Sequence, residues 1–356
     1  NIMADKIQEE IRWFLSSLAS LKGKASNVRV MTNISICNII SSIVIGHRFE
    51  HDDQAFQKIM THLVSLVADV KSCSIINFMN WLQYLPGDFF NAKRMTASVK
   101  ALLNLINEFV AAKKRDYADI ESVNNFIDAY TCEMNKKTSK NIPTCMDDPH
   151  LVKLIFELFI VGTETVSTTI YWCILYAINY PTVQDKVYRE IEDVVGTART
   201  PDIQDMPMLP YLHAFIMESQ RLASIAPLSV THICSVDSVL NGYTVPKGTI
   251  IVPNLNSILH SQKIWGDDVM DFKPERFIDA NGKLIVPDEF LPYGIGRRIC
   301  LGEAMAKMEL VMFISSMIQR FEFQPQDPAH PPSTESIFGI ICSPPPFKVK
   351  ALERQS

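Results

Sequence analysis

The stretch Phe290-Leu-Pro-Tyr-Gly-Ile-Gly-Arg-Arg-Ile-Cys-Leu-Gly-Glu303 places one cysteine, Cys300, on a glycine-rich loop that leads into a helix. Gly296 allows a backbone turn that a side chain would obstruct, and Gly302 lets the following helix approach a flat ligand. Arg298 can face an anionic group such as a propionate. The loop is therefore suited to offering a single sulfur ligand to haem iron.

A thiolate ligand pushes electron density onto haem iron and favours cleavage of an O–O bond, so the chemistry that this loop implies is oxygen activation. The structural alternative is a buried core cysteine beside an ordinary glycine-rich turn. A dinucleotide-binding loop is a weaker interpretation of Gly294-Ile-Gly296. Ile299 occupies its third glycine position, and no strand of Val/Ile type leads into the turn.

The composition excludes several classes of protein. The chain has 356 residues, of which 47% are hydrophobic, enough for one large domain or two modest ones. A net charge of −5 argues against a nucleic-acid partner. Its eight cysteines include no Cys-x-x-Cys pair, which argues against a disulfide framework and a structural zinc site. The chain begins at Asn1 within an amphipathic helical pattern, and we interpret it as a fragment without its own N-terminus.

The pattern of apolar residues predicts a mainly helical fold with small antiparallel sheets. Residues 1–230 are predicted to be mostly helical, 231–253 β-rich, 285–321 the cysteine loop with its following helix, and 322–356 a C-terminal β region. The longest predicted helix runs from Asp148 to Asn179, before Pro181. It is long enough to span a membrane, but Glu157 and Glu164 within it favour a buried central helix.

Inside that helix, Val161-Gly-Thr-Glu-Thr165 sets an acid and a hydroxyl next to a glycine that weakens the helix locally. Reduction of iron-bound oxygen needs two protons, and a carboxyl and a hydroxyl with ordered water can relay them. Hydrogen bonding of threonine back onto its own helix is the structural alternative.

A third motif pairs Glu218 with Arg221 on one helical face, and Phe272-Lys-Pro-Glu-Arg-Phe277 supplies a further arginine, Arg276, after a loop marked by proline. An exposed Glu–Arg pair stabilises a helix by only about 0.2–0.5 kcal/mol, so surface decoration is the alternative to a structural role.

In this order, the motifs resemble those of the cytochrome P450 superfamily, of the animal microsomal family-two type. The family's cysteine loop carries Phe, Gly, Arg, Cys and Gly at the positions held here by Tyr293, Gly296, Arg298, Cys300 and Gly302. The resemblance implies a single cytochrome P450 domain over residues 1–356 that lacks the N-terminal part of the family fold. Tyr293 departs from the pattern. If its hydroxyl is buried it needs a partner, and a hydrogen bond there could shift the iron's redox potential.

The resemblance implies haem b as the cofactor and assigns residues to four groups. The cofactor-binding group is Cys300 as the iron ligand, with Arg298, His232, Tyr293, Gly296 and Gly302. The proton-delivery group is Glu164 and Thr165, and the structural triad is Glu218, Arg221 and Arg276. The substrate-pocket group is Phe159, Val161, Ile225, Leu228 and Phe338. Val161, Val166 and Thr231 are further departures from the residues usual in the family.

The function that the resemblance implies is a haem-thiolate monooxygenase of the endoplasmic reticulum membrane, on its cytosolic face. It would hydroxylate or epoxidise a fatty acid, steroid or xenobiotic with O₂ and with electrons from NADPH. The implied partners are NADPH–cytochrome P450 reductase and, as a further candidate, cytochrome b5. The membrane anchor of such proteins would precede Asn1. The alternatives are a haem-thiolate isomerase or lyase that acts on a hydroperoxide, and a non-catalytic haem-binding protein.

Overall fold

The computed structural model describes residues 2–73, 76, 79–85, 87–116, 123–339 and 341–354. The α-helices are α1 Ile2–Ser20, α2 Arg29–Val44, α3 Gln54–Cys73, α4 Ala92–Asp116, α5 Phe126–Ser139, α6 Asp148–Asn179, α7 Pro181–Val195, α8 Pro210–Ala223, α9 Leu255–Leu259, α10 Gln262–Trp265 and α11 Glu303–Arg320. The strands are β1 His232–Ile233, β2 Ser238–Leu240, β3 Tyr243–Val245, β4 Ile250–Ile251, β5 Phe321–Pro325 and β6 Val349–Glu353. The predicted mainly helical fold with small antiparallel sheets is confirmed.

The strands that the structure describes pair into three antiparallel sheets of two strands each, β1 with β4, β2 with β3, and β5 with β6. Residue contacts divide the chain into two compact units. The first unit is Asn1–Ser16 with Arg29–Ser167, and the second unit is Ser17–Val28 with Thr168–Ser356.

In the first unit, apolar residues at helical spacing form the core face of α1, where Ile7, Ile11 and Phe14 are fully buried. The chain after α2 is fixed by the amide of Asn38. Its Nδ2 donates to the Phe49 carbonyl at 2.8 Å, and its Oδ1 accepts from the Phe49 amide at 3.0 Å. A buried asparagine that pairs with both backbone groups of one residue replaces the water that those groups would otherwise need.

In the second unit, one buried glutamine joins helices to the C-terminal sheet. Nε2 of Gln184, on α7, donates to the carbonyls of Ala177 at 3.1 Å and Phe323 at 3.0 Å, and its Oε1 accepts from the Phe323 amide at 2.7 Å. Phe323 lies on β5, which pairs in register with β6. The sheet therefore lies against the helices through hydrogen bonds as well as apolar contacts.

Helix α6 runs from Asp148 to Asn179, as the sequence predicts, and α7 begins directly after it at Pro181. Among the described residues α6 is the one helix long and apolar enough to cross a membrane. Of its most apolar 18-residue stretch, 72% is buried in the structure. Length and composition of one helix are weak grounds for a membrane span. Extensive burial is also typical of a core helix in a soluble protein.

Helix α11 carries an isolated carboxyl in its buried face. Glu309 is 0% exposed, and neither of its carboxyl oxygens has a hydrogen-bond partner among the residues that the structure describes. Burial raises the pKa of Glu309 from its ordinary value of 4.5 to about 8. A charged carboxylate in an apolar interior is costly, so the folded protein holds this group protonated at neutral pH.

Replacing Glu309 with glutamine should flatten the dependence of stability on pH. Because the pKa of Glu309 is higher in the folded protein, its stabilising contribution is complete below pH 4.5 and is lost as the pH rises to about 8. Over that interval the wild-type free energy of unfolding should fall by at most about 1.4 kcal/mol per pH unit from this group. Urea unfolding at several pH values measures the slope. The exposed carboxylate variant Glu335→Gln is the control, and an equal slope in Glu309→Gln and wild type would contradict the expectation.

Candidate functional site

The backbone of the cysteine loop is closed by its own hydrogen bonds. The Cys300 amide donates to the Tyr293 carbonyl at 3.0 Å, and the Ile299 amide donates to the Gly296 carbonyl at 3.1 Å. Gly294 and Gly296 both have φ of 78°, a conformation that favours glycine. The loop thus turns back on itself and presents Cys300 three residues before Glu303, the first residue of α11.

The thiol of Cys300 is free and exposed. Apolar side chains of the same loop are unusually open to solvent, since Ile295 is 72% and Leu301 94% exposed, with Ile299 at 46%. A Cβ added at Gly302 would lie 4.0 Å from the Cys300 sulfur. An exposed apolar patch around a thiol is typical of a surface that a ligand covers.

These residues fit haem b. The sulfur is an iron ligand, the open apolar side chains suit a flat apolar ring, and a Cβ at Gly296 would meet no atom within 4 Å. Arg298 is exposed and His232, on β1, is half-buried. Both lie in the second unit with Cys300, where they could each pair with a propionate.

Tyr293, which stands where the family has Phe, is half-buried and has a partner. Nε2 of Gln220, on α8, donates to the Tyr293 hydroxyl oxygen at 2.7 Å. Burial raises the pKa of Tyr293 to about 12, so the hydroxyl is neutral at physiological pH. Gln220 is a residue that sequence reasoning missed, because a glutamine 73 positions away carries no local signal of this contact.

The structure brings Glu218, Arg221 and Arg276 together in one buried network. Arg221 Nε donates to Glu218 Oε2 at 2.7 Å and its Nη2 to Oε1 at 2.9 Å, with both side chains 0% exposed. Arg276 Nε donates to Glu218 Oε1 at 3.4 Å. The bidentate pair fixes the planes of both groups.

The two arginines of this network also hold loops that precede the cysteine loop. Arg221 donates to the carbonyls of Leu259 at 2.9 Å and Val269 at 2.7 Å. Arg276 Nη1 donates to the Trp265 carbonyl at 2.8 Å. Hydrogen bonds from Lys273 and then Arg276 lower the pKa of Asp268 to about 2. One buried carboxylate therefore organises two arginines and, through them, the backbone of residues 259–276.

In the first unit, Glu164 is buried and forms an ion pair. Arg29 Nη2 donates to Glu164 Oε1 at 2.8 Å, from the first residue of α2 to the middle of α6. The hydroxyl of Thr165 donates back to the Val161 carbonyl at 2.7 Å. Arg29 was missed by the sequence analysis because it lies 135 positions from its partner.

Gly162 has a packing role that the sequence does not reveal. A Cβ at Gly162 would lie 2.7 Å from Cδ1 of Ile40, so α2 and α6 approach closely at this point. The glycine is therefore needed for contact between these two helices. The predicted local weakening of the helix by this glycine stays a prediction.

The substrate-pocket group is divided by exposure. Val161 is 58%, Leu228 43% and Phe338 61% exposed, whereas Phe159 is 2% exposed and lies in the core. Ile225 is half-buried, and its carbonyl accepts from the Cys342 amide at 2.8 Å. In the second unit this hydrogen bond joins the segment after α8 to the C-terminal turn that carries Phe338.

Replacing Glu218 with glutamine should destabilise the second unit severely. The change leaves Arg221 buried without a counter-charge, which costs about 3–5 kcal/mol in comparable cases. The midpoint of urea unfolding, followed by circular dichroism, measures the loss. Glu275→Gln is the matched control, because Glu275 is exposed and its contacts, an ion pair with Lys186 and a hydrogen bond from the Tyr211 hydroxyl, lie at the surface. A surface pair is worth at most about 1 kcal/mol, so similar losses in the two variants would contradict the structural role of Glu218.

Comparison with known proteins places these features in one family. Cytochrome P450 2U1 of Bos taurus is 35% identical to the chain over 348 residues, which cover 97% of this chain and 63% of that protein. Cytochrome P450 2U1 of Homo sapiens is 36% identical over 326 residues, covering 90% of this chain and 58% of that protein. Cytochrome P450 2D28 of Mesocricetus auratus is 33% identical over 334 residues, covering 93% and 66%.

The chain thus spans about three fifths of the length of the 2U1 relatives it matches. These relatives agree with the resemblance to family-two members that the motifs suggested. Proteins of this family bind haem b, in accord with the thiol and the open apolar surface around Cys300. The family model described as Cytochrome P450 matches residues 2–351, and the chain therefore belongs to the cytochrome P450 family.

Proposed function

We propose that this protein is a haem-thiolate monooxygenase that hydroxylates or epoxidises a lipophilic substrate with O₂ and electrons from NADPH. The observation that carries the proposal is the exposed Cys300 thiol on a closed loop whose apolar side chains are also open to solvent. Haem b, when bound, supplies the oxygen chemistry. The protein's part is to bind, orient, exclude water and move protons.

Cys300 would hold the iron through its sulfur, as a thiolate. The backbone hydrogen bond from Cys300 to Tyr293 keeps the sulfur at the end of a fixed turn. Gln220, next to the buried Glu218–Arg221 pair on α8, holds the Tyr293 hydroxyl at the start of that turn. Arg298 and His232 would pair with the propionates, so that the cofactor is held by charge at its rim and by sulfur at its centre.

Glu164 and Thr165 would deliver protons. Arg29 orients the Glu164 carboxyl through a charge-assisted hydrogen bond. The Thr165 hydroxyl donates to the Val161 carbonyl, and a hydroxyl oxygen is able to accept hydrogen bonds as well. A water molecule would pass protons between the Glu164 carboxyl and the Thr165 hydroxyl.

The substrate would be lipophilic, because the exposed members of the substrate-pocket group are apolar. Val161, Leu228 and Phe338 offer no charge or hydrogen-bond donor from their side chains. Fatty acids, steroids and xenobiotics all fit this chemistry. Phe159, being buried, would act through the packing of α6.

The electron donor would be NADPH–cytochrome P450 reductase, with cytochrome b5 as a further donor. Exposed basic side chains support an acidic partner surface, since Arg297 and Arg298 lie on the cysteine loop next to Lys307 of α11. Attachment to the endoplasmic reticulum membrane, facing the cytosol, completes the proposal, and the likeness to family-two relatives supports it.

The iron ligand is tested by the spectrum of the reduced carbon monoxide complex. Wild type should show the red-shifted Soret band of a thiolate-ligated haem, and Cys300→Ser should lose it. Cys234→Ser, which removes a half-buried thiol elsewhere in the second unit, should keep it. Absence of a haem band, or a band indifferent to Cys300, would refute the proposed function.

Turnover separates the monooxygenase from its alternatives. Lipophilic substrates should raise O₂-dependent NADPH consumption by the protein with its reductase. Turnover of a hydroperoxide without NADPH would instead identify an isomerase or lyase. Haem binding with neither activity would identify a non-catalytic protein.

Replacing Thr165 with valine should impair proton delivery without loss of haem. Product formation should fall roughly 100-fold, the scale of a lost acid–base step, while hydrogen peroxide release per NADPH rises. Ser167→Ala is the control, because its hydroxyl bonds back to the Glu164 carbonyl on the buried side of the same helix. Equal coupling of NADPH to product in Thr165→Val and wild type would exclude the proton-delivery role.

A further inference from the structure

Two hydrogen bonds link helix α8 to Cys300 through Tyr293. Its hydroxyl accepts from Gln220 Nε2 at 2.7 Å, and its carbonyl accepts from the Cys300 amide at 3.0 Å. Gln220 precedes Arg221, whose guanidinium is locked by Glu218 and two backbone carbonyls. A continuous path of hydrogen bonds and backbone therefore runs from the buried network to the residue that carries the sulfur.

The rest of the loop has little other side-chain support. Before Tyr293, the ring of Phe290 packs edge-to-face on Phe277 at 5.1 Å, within the apolar cluster around Trp265. After it, residues 294–302 are all described and none of their side chains forms a hydrogen bond. Tyr293 is therefore the last side chain before Cys300 that ties the loop to the body of the second unit.

The ring of Tyr293 is also contacted from the helix that follows the loop. Nζ of Lys307, on α11, lies 5.5 Å from the ring centroid, and the same ammonium pairs with Glu303 at 2.7 Å. Cation–π contacts at such partly exposed sites are weak. Tyr293 therefore contacts α8 through its hydroxyl and α11 through its ring.

We propose that Gln220 is a positioning residue, which holds the Tyr293 hydroxyl and through the Tyr293 backbone fixes the Cys300 sulfur for metal binding. A phenylalanine at position 293 could be held only by packing, and the amide of Gln220 would then lose its partner. The consequence for the iron rests on the proposed haem-thiolate function. The consequence for the loop backbone does not.

A double-mutant cycle tests the pair, with Tyr293→Phe, Gln220→Met and the double variant. Each single change removes one partner while keeping a side chain of similar shape. Tyr188→Phe is the matched control, since it deletes a tyrosine hydroxyl that bonds Glu192 on α7, away from the loop. The first readout is hydrogen exchange of the Cys300 amide, measured with and without haem. The second is the rate at which the reduced carbon monoxide complex loses its thiolate-type Soret band.

Each single variant should exchange the Cys300 amide and lose the thiolate band roughly fivefold faster than wild type, the scale of one net hydrogen bond. The double variant should be no faster than either single one, because both remove the same interaction. Tyr188→Phe should match wild type. Additive effects in the double variant, or unchanged amide exchange in both single variants, would overturn the proposal.

The design separates this inference from the proposed function. Neither readout needs substrate or reductase, so a protein that positions Cys300 in this way yet oxidises nothing would still give the predicted cycle. If no haem binds, amide exchange in the haem-free protein still reports the pair. Faster exchange with an unchanged rate of band loss would overturn the link between the pair and the iron ligand.

Discussion

A single buried carboxylate, Glu218, holds together the part of the protein that carries the cysteine loop. Its oxygens accept from Arg221 and Arg276 and also from the backbone amide of Lys273 at 2.9 Å. Burying two charges costs free energy of folding. A buried ion pair offsets this cost only when its donors and acceptors are all hydrogen-bonded. Here both guanidinium groups also donate to backbone carbonyls, so the network fixes several segments of the chain at once.

The cysteine loop combines a rigid base with an open face. At the start of the loop, Phe290 packs on the apolar cluster that includes Trp265 and Phe277. The ion network meets the same cluster where Arg276 donates to the Trp265 carbonyl. On the face that carries the thiol, Ile295 and Leu301 are exposed although both are strongly apolar. Exposed apolar side chains are typical of a surface that a ligand covers, and we propose this surface as part of the haem site.

In the first unit, α6 likewise contains a buried carboxylate that has an ion-pair partner. Glu164 lies in an apolar helix and is tolerated there because Arg29 pairs with it. Gly162, two residues earlier, meets Ile40 and sets how closely α2 approaches. Glu164, one of the two residues proposed for proton delivery, thus also joins α6 to α2, and function and stability are coupled at this position.

Local patterns were enough to identify the helical class, the bounds of α6 and the family. The residues that end helices, form glycine turns and make up the cysteine loop each occupy a short stretch of the sequence. They also named Glu218, Arg221 and Arg276 as a triad, and the structure brings these three side chains together. Local patterns could not reveal Arg29 as the partner of Glu164 or Gln220 as the partner of Tyr293, which are separated by 135 and 73 positions. Nor could they distinguish buried Phe159 from exposed Val161. Such pairings and exposures depend on which helix faces meet, and that is decided by packing between distant segments, a property of the folded chain alone.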